Sequence, residues 1–193
     1  HNFELIDEFS WIHQKDILEV LKDSSKLNPE VRKYLEEENT YTKIQMKDAE
    51  QFQKKLFREI KGRIKLNDES LHFFYKKDGW EYWTKTTAEN NYSICLRKKI
   101  EDDEKNTQEY WNGDKEKNKI GASYFGLGDL SVSHDHSLLG YSLDLNGSEF
   151  YTIYVRRIAD EKQVTEKIEN TSGGITFSKD SKFIFYTLLN SKH

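Results

Sequence analysis

Two short segments contain residue types that could do chemistry. His134 and His136 flank Asp135, and alternate residues of an extended strand share one side, so this segment could bind a metal ion or transfer a proton. Residues 121–125 read Gly-Ala-Ser-Tyr-Phe, which is the nearest approach to the Gly-x-Ser-x-Gly elbow of serine hydrolases. The second glycine of that elbow is missing, so we expect no nucleophile at Ser123.

An internal repeat gives the His-Asp-His segment a structural explanation. Residues 130–142 match residues 175–187 at a constant offset of 45 residues. The identical pairs are Ser133 and Ser178, Asp135 and Asp180, and Tyr141 and Tyr186. A Ser-x-Asp turn reverses the chain before an apolar strand, and Asp135 is explained by its partner in the repeat. We therefore interpret this segment as a turn and predict no metal site there.

The length of the repeat indicates a known architecture. A period of about 40–45 residues with several short strands per unit is typical of a β-propeller blade. Residues 78–82, Asp-Gly-Trp-Glu-Tyr, are interpreted as a third, degenerate copy. Propellers use four to eight blades, which need roughly 180 residues or more at this period. Residues 67–193 number only 127, so two to three blades fit and these residues cannot close a ring.

Three other features of the sequence could bind a ligand or react, but each has a commoner structural explanation. Residues 126–128, Gly-Leu-Gly, lack the third glycine of a phosphate-binding fingerprint and are predicted to form a turn. Cys95 has apolar neighbours and is predicted to be a buried structural thiol. The aromatic cluster at 80–83 could face a ligand, but aromatic residues are enriched in strands, and we interpret it as strand packing. We predict no catalytic, cofactor-binding or metal-binding residue in the chain, and no cofactor.

Helical periodicity covers the first third of the chain. Asn28 is predicted to cap a helix that begins at Pro29, and Asp48 is predicted to cap another, with Gln51 completing a capping box. Apolar residues at steps of three and four positions indicate one apolar face per helix. The predicted helices span residues 14–22, 29–46 and 48–62.

After about Leu66, short runs of aromatic and β-branched residues alternate with Asp, Gly, Asn and Ser, which is typical of strands and turns. The predicted strands are 71–75, 80–86, 92–98, 138–144, 149–157, 174–178 and 183–189. Residues 99–119 are predicted to be a long polar connection with one weak strand near 110–111. The predicted fold class is α+β. A helical arm occupies residues 1–66, and an incomplete β-propeller of two to three antiparallel blades occupies residues 67–193.

Composition narrows the class of protein further. The 193 residues include 30 basic and 34 acidic side chains, and the formal net charge of −4 argues against a nucleic-acid-binding protein. No apolar run approaches the roughly 20 residues of a membrane-spanning helix. Cys95 is the only cysteine, so no intrachain disulfide can form. We expect a cytoplasmic protein with neither nucleic acid nor membrane as a partner.

Several segments resemble, in order and register, the amino-terminal part of the prolyl oligopeptidase family of serine peptidases. Within that family the similarity is to the oligopeptidase B, or protease II, members. The segments are 19–23, 29–41, 56–64, 129–135, 146–155 and 169–173. The chain departs from the family at residues 12–14, near 110–111, and at His134 and His136, which replace a Pro and a Gly or Asn at a blade turn.

The resemblance implies a two-domain enzyme, in which a seven-bladed propeller covers an α/β-hydrolase domain and admits only short peptides. Oligopeptidase B-like members cleave after Arg or Lys, and their Ser, Asp and His triad belongs to the carboxyl-terminal hydrolase domain. This chain would supply the first blades and a helical arm that packs on the hydrolase domain, and it would be inactive alone. The implied partners are that domain and the remaining blades, in the same or a separate chain.

A second hypothesis is a non-catalytic interaction module, or the remnant of a split or truncated peptidase gene. An open sheet edge presents unpaired strand hydrogen-bonding groups, which favour pairing with another chain. This hypothesis predicts self-association or a partner that carries the remaining blades.

Overall fold

A computed structural model gives the fold of the chain. It describes residues 6–71, 73–75 and 78–190, and residues 73–75 by their backbone alone. The chain divides into two compact units, His1–Ile64 and Lys65–His193. Within the described ranges, no helix is long and apolar enough to cross a membrane.

The amino-terminal unit is helical. Its helices are α1 (Ile17–Lys22), α2 (Pro29–Gln45) and α3 (Glu50–Gly62), with single 3-10 turns at Ser10–Ile12, Ser24–Lys26 and Lys47–Ala49. α2 begins as predicted, because the Asn28 side chain accepts a 2.8 Å hydrogen bond from the N–H of Glu30 and Pro29 takes the first helical position. The capping box predicted at Asp48 is wrong: this residue lies in a 3-10 turn, and α3 starts two residues later.

The apolar stripe of α3 is exposed. Phe52, Leu56 and Ile60 follow one another every fourth residue, so they share one side of the helix. These residues are 64%, 41% and 53% exposed, and no residue of α3 is buried. The sequence pattern therefore gives a helix with an apolar face that the other described residues of the helical unit leave exposed.

The carboxyl-terminal unit begins with a five-stranded antiparallel sheet. Its strands are β1 (Asp68–Glu69), β2 (Phe73–Tyr75), β3 (Trp80–Thr86), β4 (Ile94–Lys99) and β5 (Gln108–Asn112). β4 pairs with one side of β3, while β1 and β2 pair with different parts of its other side. β5 pairs with β4 and forms the far edge of this first sheet.

A second antiparallel sheet and a hairpin follow. The second sheet contains β6 (Gly126–Val132), β7 (Leu138–Asp144), β8 (Tyr151–Arg157) and β9 (Ile168–Thr171), and the hairpin contains β10 (Thr176–Phe177) and β11 (Ile184–Phe185). Strands in the second sheet follow one another in sequence order, as in a blade that is built by successive hairpins. Two sheets and one hairpin confirm the prediction of two to three antiparallel blades.

The turn predicted at 126–128 is wrong, because these residues begin β6. Gly128 lies in a strand, and a steric requirement explains why this position is glycine. A Cβ atom at this position would lie 2.6 Å from both Ser142 Oγ and the Tyr151 ring, so only glycine permits this close approach.

The polar connection predicted at 99–119 is also mostly wrong. β5 contains the weak strand predicted near 110–111, and helix α4 (Gly113–Ile120) follows it directly. The Asn112 side chain caps α4 by accepting a hydrogen bond from the N–H of Lys115, and Gly121 ends it at φ 71°. The sequence carries both end signals, but the low apolar content of the segment concealed the helix. The strands predicted at 174–178 and 183–189 are likewise reduced to the two residues each of β10 and β11, and β1, β6 and β9 were not predicted.

The two copies of the repeat form the same turn. Ser133 Oγ donates to Asp135 at 2.6 Å and accepts from the N–H of Leu138 at 2.9 Å. Forty-five residues later, Ser178 Oγ donates to Asp180 at 2.6 Å and accepts from the N–H of Phe183 at 3.0 Å. The repeat predicted from sequence is thus confirmed. β2 and β3 also form a hairpin at the third copy, but its turn includes residues 76–77, which lie outside the described residues.

Both faces of β7 are covered, and this places the core of the unit. Leu139, Tyr141 and Leu143 point to one face and pack in a cluster with residues of β4 and β5. On the other face, Gly140 lies against Ile175 and Phe177, and Ser142 Oγ donates a 2.6 Å hydrogen bond to the carbonyl of Gly173. The second sheet is therefore packed between the first sheet and the hairpin.

The repeated turn allows a paired stability test. Ser133→Ala should lower the free energy of unfolding by about 1–2 kcal/mol, because it removes a buried hydroxyl that is the partner of a partly buried N–H and of Asp135. Ser178→Ala removes the same two hydrogen bonds from a more exposed turn and should cost less, roughly 0.5–1 kcal/mol. Urea unfolding of both variants measures the difference, and equal losses would contradict it.

Candidate functional site

A polar and aromatic cluster connects the first sheet to the second. We define the His136 cluster as Asp78, Trp80, Tyr82, Arg97 and His136. Tyr82 Oη lies 2.8 Å from His136 Nδ1, and Arg97 Nη1 donates a 2.6 Å hydrogen bond to the carbonyl of His136. Tyr82, Arg97 and His136 are all at least nine-tenths buried. The cluster therefore joins β3 and β4 to the turn between β6 and β7.

Ring stacking fixes the orientation of the imidazole. The His136 ring lies 5.5 Å from the Trp80 ring and 5.8 Å from the Tyr82 ring, with interplanar angles of 24° and 22°. The Arg97 guanidinium lies 4.5 Å from the centroid of the Trp80 ring, in cation–π geometry. The same arginine donates from Nε to Gln108 at 3.2 Å, which connects the cluster to β5.

Burial determines the ionisation of His136. Desolvation lowers the pKa of its imidazole below the ordinary value of 6.5. Asp78 opposes this shift from 3.6 Å, measured between its Oδ2 and His136 Nε2, whereas the positive charge of Arg97 adds to it. The net direction is downward, so the ring is neutral at neutral pH.

A cavity of about 290 Å³ lies beside the cluster. Its wall includes Asp78, Tyr82, Tyr110, His134 and His136. The volume is at the lower end of the range for small-molecule sites. The cavity brings together both histidines that the sequence singled out, which gives it the chemistry of a weak acid–base or hydrogen-bonding site.

Nucleophilic and metal chemistry have little support at this cavity. Ser133 also lines it, but its hydroxyl donates to Asp135 and accepts from a backbone N–H, so it serves the turn. Across residues 6–71, 73–75 and 78–190, no group of three or more His, Cys, Asp or Glu side chains could hold a metal ion. The absence of a site residue in the whole chain stays a prediction.

A second buried contact connects α4 to the second sheet. Arg156 Nη1 and Glu116 Oε1 form a 2.7 Å ion pair, with 3% and 10% of their side chains exposed. The Arg156 guanidinium also lies 5.4 Å from the Trp111 ring and 5.2 Å from the Tyr141 ring. This arginine therefore contacts β5, α4 and β7 at once.

A third buried charge lies within the first sheet. Lys98 Nζ lies 2.9 Å from Glu104 and 3.1 Å from Glu81. The hydrogen bonds that the Lys98 ammonium donates to Glu104 and Glu81 raise its pKa, so it stays charged although only 9% of its side chain is exposed. Glu104 belongs to the loop before β5, and this contact fastens the loop to the sheet.

The structure separates the residues that the sequence singled out. His134 and Asp135 are exposed, whereas His136 is buried. Cys95 is buried as predicted, and burial raises the pKa of its thiol. Tyr82 and Trp83 are buried in the first sheet, in agreement with strand packing.

Arg97, Arg156 and Glu116 were not singled out by sequence reasoning. Arg97 contacts a residue 39 positions away, and Arg156 contacts one 40 positions away. For the two arginines, the available signal was a charged residue inside an apolar or aromatic strand, since such residues are rarely buried without a partner. Glu116 lies in the polar helix α4 and had no such signal.

The repeated antiparallel sheets, stacked face to face, define the chain as part of a β-propeller. Residues 4–193 match the family model described as prolyl oligopeptidase, N-terminal beta-propeller domain. The chain belongs to this family.

Comparison with individual proteins shows that the chain is similar to a part of longer peptidases. It is 28% identical to dipeptidyl aminopeptidase BI of Pseudoxanthomonas mexicana and 21% identical to Protease 2 of Moraxella lacunata, over 96% and 95% of this chain. The fold matches oligopeptidase B of Trypanosoma brucei with a TM-score of 0.78 and that of Leishmania major with 0.75, each at 21% identity. Those matches cover 96% and 90% of this chain. The chain spans about a quarter of the length of these relatives: 26% and 25% of the two peptidases, and 24% of each solved structure.

Substitutions at two adjacent arginines test how much the buried ion pair contributes to the free energy of unfolding. Arg156→Met should lower the free energy of unfolding by about 3 kcal/mol or more, because it leaves the Glu116 carboxylate buried without its partner. Arg157→Met removes a partly exposed pair with Asp160 and should cost less than about 1 kcal/mol. Chemical denaturation distinguishes the two, and a small loss at position 156 would mean that the pair is not a major support.

Proposed function

We propose that this chain is the amino-terminal part of an oligopeptidase B-like serine peptidase that hydrolyses short peptides after Arg or Lys. The helical unit would pack on a carboxyl-terminal hydrolase domain, and the sheets would be the first blades of a propeller that limits substrate size. The observation that carries the proposal is the family match over residues 4–193, combined with a length about one quarter of the relatives'. The catalytic Ser, Asp and His would lie in that hydrolase domain.

The exposed face of α3 supports a packing role for the helical unit. Phe52, Leu56 and Ile60 form an apolar stripe with 41–64% exposure. Short helices are marginal in water and depend on burial of an apolar face. A hydrolase domain that covers this stripe would supply the missing burial.

The last hairpin supports continuation into further blades. Phe183, Phe185 and Leu188 are 65%, 63% and 59% exposed in and beside β11. The second sheet buries both of its faces, whereas this hairpin contributes Ile175 and Phe177 to only one cluster. Additional strands beside β11 would cover the exposed aromatic side chains, whether they come from the same chain or another one.

A second substrate class is favoured by one comparison. The identity with the protein named dipeptidyl aminopeptidase is 28%, against 21% with Protease 2. An aminopeptidase that releases dipeptides needs a free terminal amine, whereas cleavage after Arg or Lys does not. The two possibilities therefore differ in a property that substrates can test.

The activity test uses the full-length gene product and the 193-residue chain. We expect the full-length protein to hydrolyse amino-blocked chromogenic peptides that end in Arg or Lys, and the 193-residue chain to hydrolyse nothing. Hydrolysis only of unblocked dipeptide substrates would favour the dipeptidyl class. Hydrolysis by the 193-residue chain that a serine-directed inhibitor blocks would overturn the proposal.

The role of α3 is tested by two variants of equal charge change. Leu56→Asp places a charge in the apolar stripe, and Lys54→Gln changes the net charge by the same amount on the opposite side of the helix. In the full-length protein, Leu56→Asp should lower the rate of peptide hydrolysis at least severalfold. Lys54→Gln should leave that rate unchanged. Equal behaviour of the two variants would contradict a docking role for the stripe.

The alternative of a stand-alone interaction module makes a different prediction. If the 193 residues act alone, the exposed hairpin favours self-association or a partner chain. Sedimentation of the 193-residue chain should then show oligomers. A monodisperse monomer would count against the interaction module.

A further inference from the structure

His136 occupies an uncommon backbone position for a residue other than glycine. Its φ is 62°, in the left-handed region, where residues with a Cβ atom are disfavoured. The equivalent residue of the second turn, Ser181, has φ 60°, so the turn itself imposes this geometry. Any residue with a Cβ atom at this position carries some backbone strain, and at His136 the contacts of the ring offset it.

Those contacts all lie across the boundary between the first and second sheets. The ring stacks on Trp80 and Tyr82 of β3, and Nδ1 lies 2.8 Å from Tyr82 Oη. The backbone of the same residue accepts the 2.6 Å hydrogen bond from Arg97 of β4. One residue thus connects the turn of the second sheet to two strands of the first.

We propose that His136 is a proton-sensitive contact between these two sheets, and that protonation of its imidazole loosens the first sheet from the second. The inference goes beyond the peptidase proposal and does not depend on it. It concerns the contact between the first and second sheets. In the His136 cluster, the imidazole is the only group that changes charge near neutral pH.

The charged and titratable groups around the ring come from every neighbouring element. Asp78 lies in the turn before β3, Tyr82 in β3, Arg97 in β4 and Tyr110 in β5. His134 and Asp135 flank the ring on its own turn. Asp78 favours the protonated ring, but it is half exposed and lies 3.6 Å away, whereas Arg97 is buried and places a second positive charge beside it.

The sign of the pH effect follows from these surroundings. Desolvation holds the pKa of His136 below its ordinary value in the closed structure, while an opened boundary returns the ring to water. Between the lowered and the ordinary pKa, only the open form binds the extra proton. The closed boundary is therefore fully stable above about pH 7 and loses stability as the pH falls through the ordinary value of about 6.5.

Hydrogen exchange on the full chain tests this directly. Amides of β3, β4 and the turn at 133–137 should exchange severalfold faster at pH 5.5 than at pH 7.5, after correction for intrinsic rates. The turn at 178–183 contains no histidine and serves as an internal control, with no such acceleration. A histidine NMR titration should place the pKa of His136 below 6.5.

Matched variants assign the effect to one residue. His136→Asn suits the left-handed position and removes the titration, so it should abolish the acceleration. His134→Asn removes the neighbouring exposed imidazole and should leave the acceleration intact. Asp78→Asn removes the charge that favours the protonated ring, so the acceleration at pH 5.5 should increase, and this variant keeps the test available if His136→Asn does not fold.

Three results would overturn the proposal. The first is acceleration that persists unchanged in His136→Asn. The second is a His136 pKa at or above the ordinary value. The third is an Asp78→Asn variant with less acceleration than the unmodified chain.

Discussion

A sheet of short antiparallel strands has two faces, and both must be covered if its apolar residues are to leave water. The second sheet meets this requirement because β7 carries large apolar side chains on one face and the small residues Gly140 and Ser142 in the middle of the other. Leu139, Tyr141 and Leu143 fill the space toward the first sheet, while Gly140 lets Ile175 and Phe177 approach closely. The stacking of sheet upon sheet follows from this alternation, and the remaining contacts depend on it.

Stacked sheets could slide relative to one another if only apolar contacts held them. Directional contacts prevent this at each boundary: Arg97 to the His136 carbonyl between the first and second sheets, and Asp129 to the N–H of Ile175 between the second sheet and the hairpin. Burial of charged groups is unfavourable without a partner, so each such group accepts only one arrangement of its neighbours. The low hydrophobic fraction of 35% is consistent with this, because polar contacts share the task of joining the sheets.

Local signals predicted much of this fold. The cap at Asn28 and the Ser-x-Asp turns depend on side chains within a few residues of the groups that they satisfy, so the sequence contains both partners at short range. The role of Gly128 was predicted wrongly because its close neighbours, Ser142 and Tyr151, belong to other strands and are distant in sequence. The His136 cluster was missed for the same reason. The sequence singled out His136, but Tyr82 lies 54 residues earlier, and only the stacking of two sheets brings the two rings together.

The two units differ in how completely their own residues bury their apolar side chains. In the second sheet, Leu139 and Ile153 reach zero exposure, so the centre of that sheet is fully buried by the neighbouring sheet and hairpin. In the helical unit, Val20 and Val31 are buried, but the stripe of α3 stays open to water. A 13-residue helix gains little from propensity alone and normally requires packing of its apolar face. The regular spacing of Phe52, Leu56 and Ile60 therefore leaves this helix with an apolar face that is available for packing against another surface.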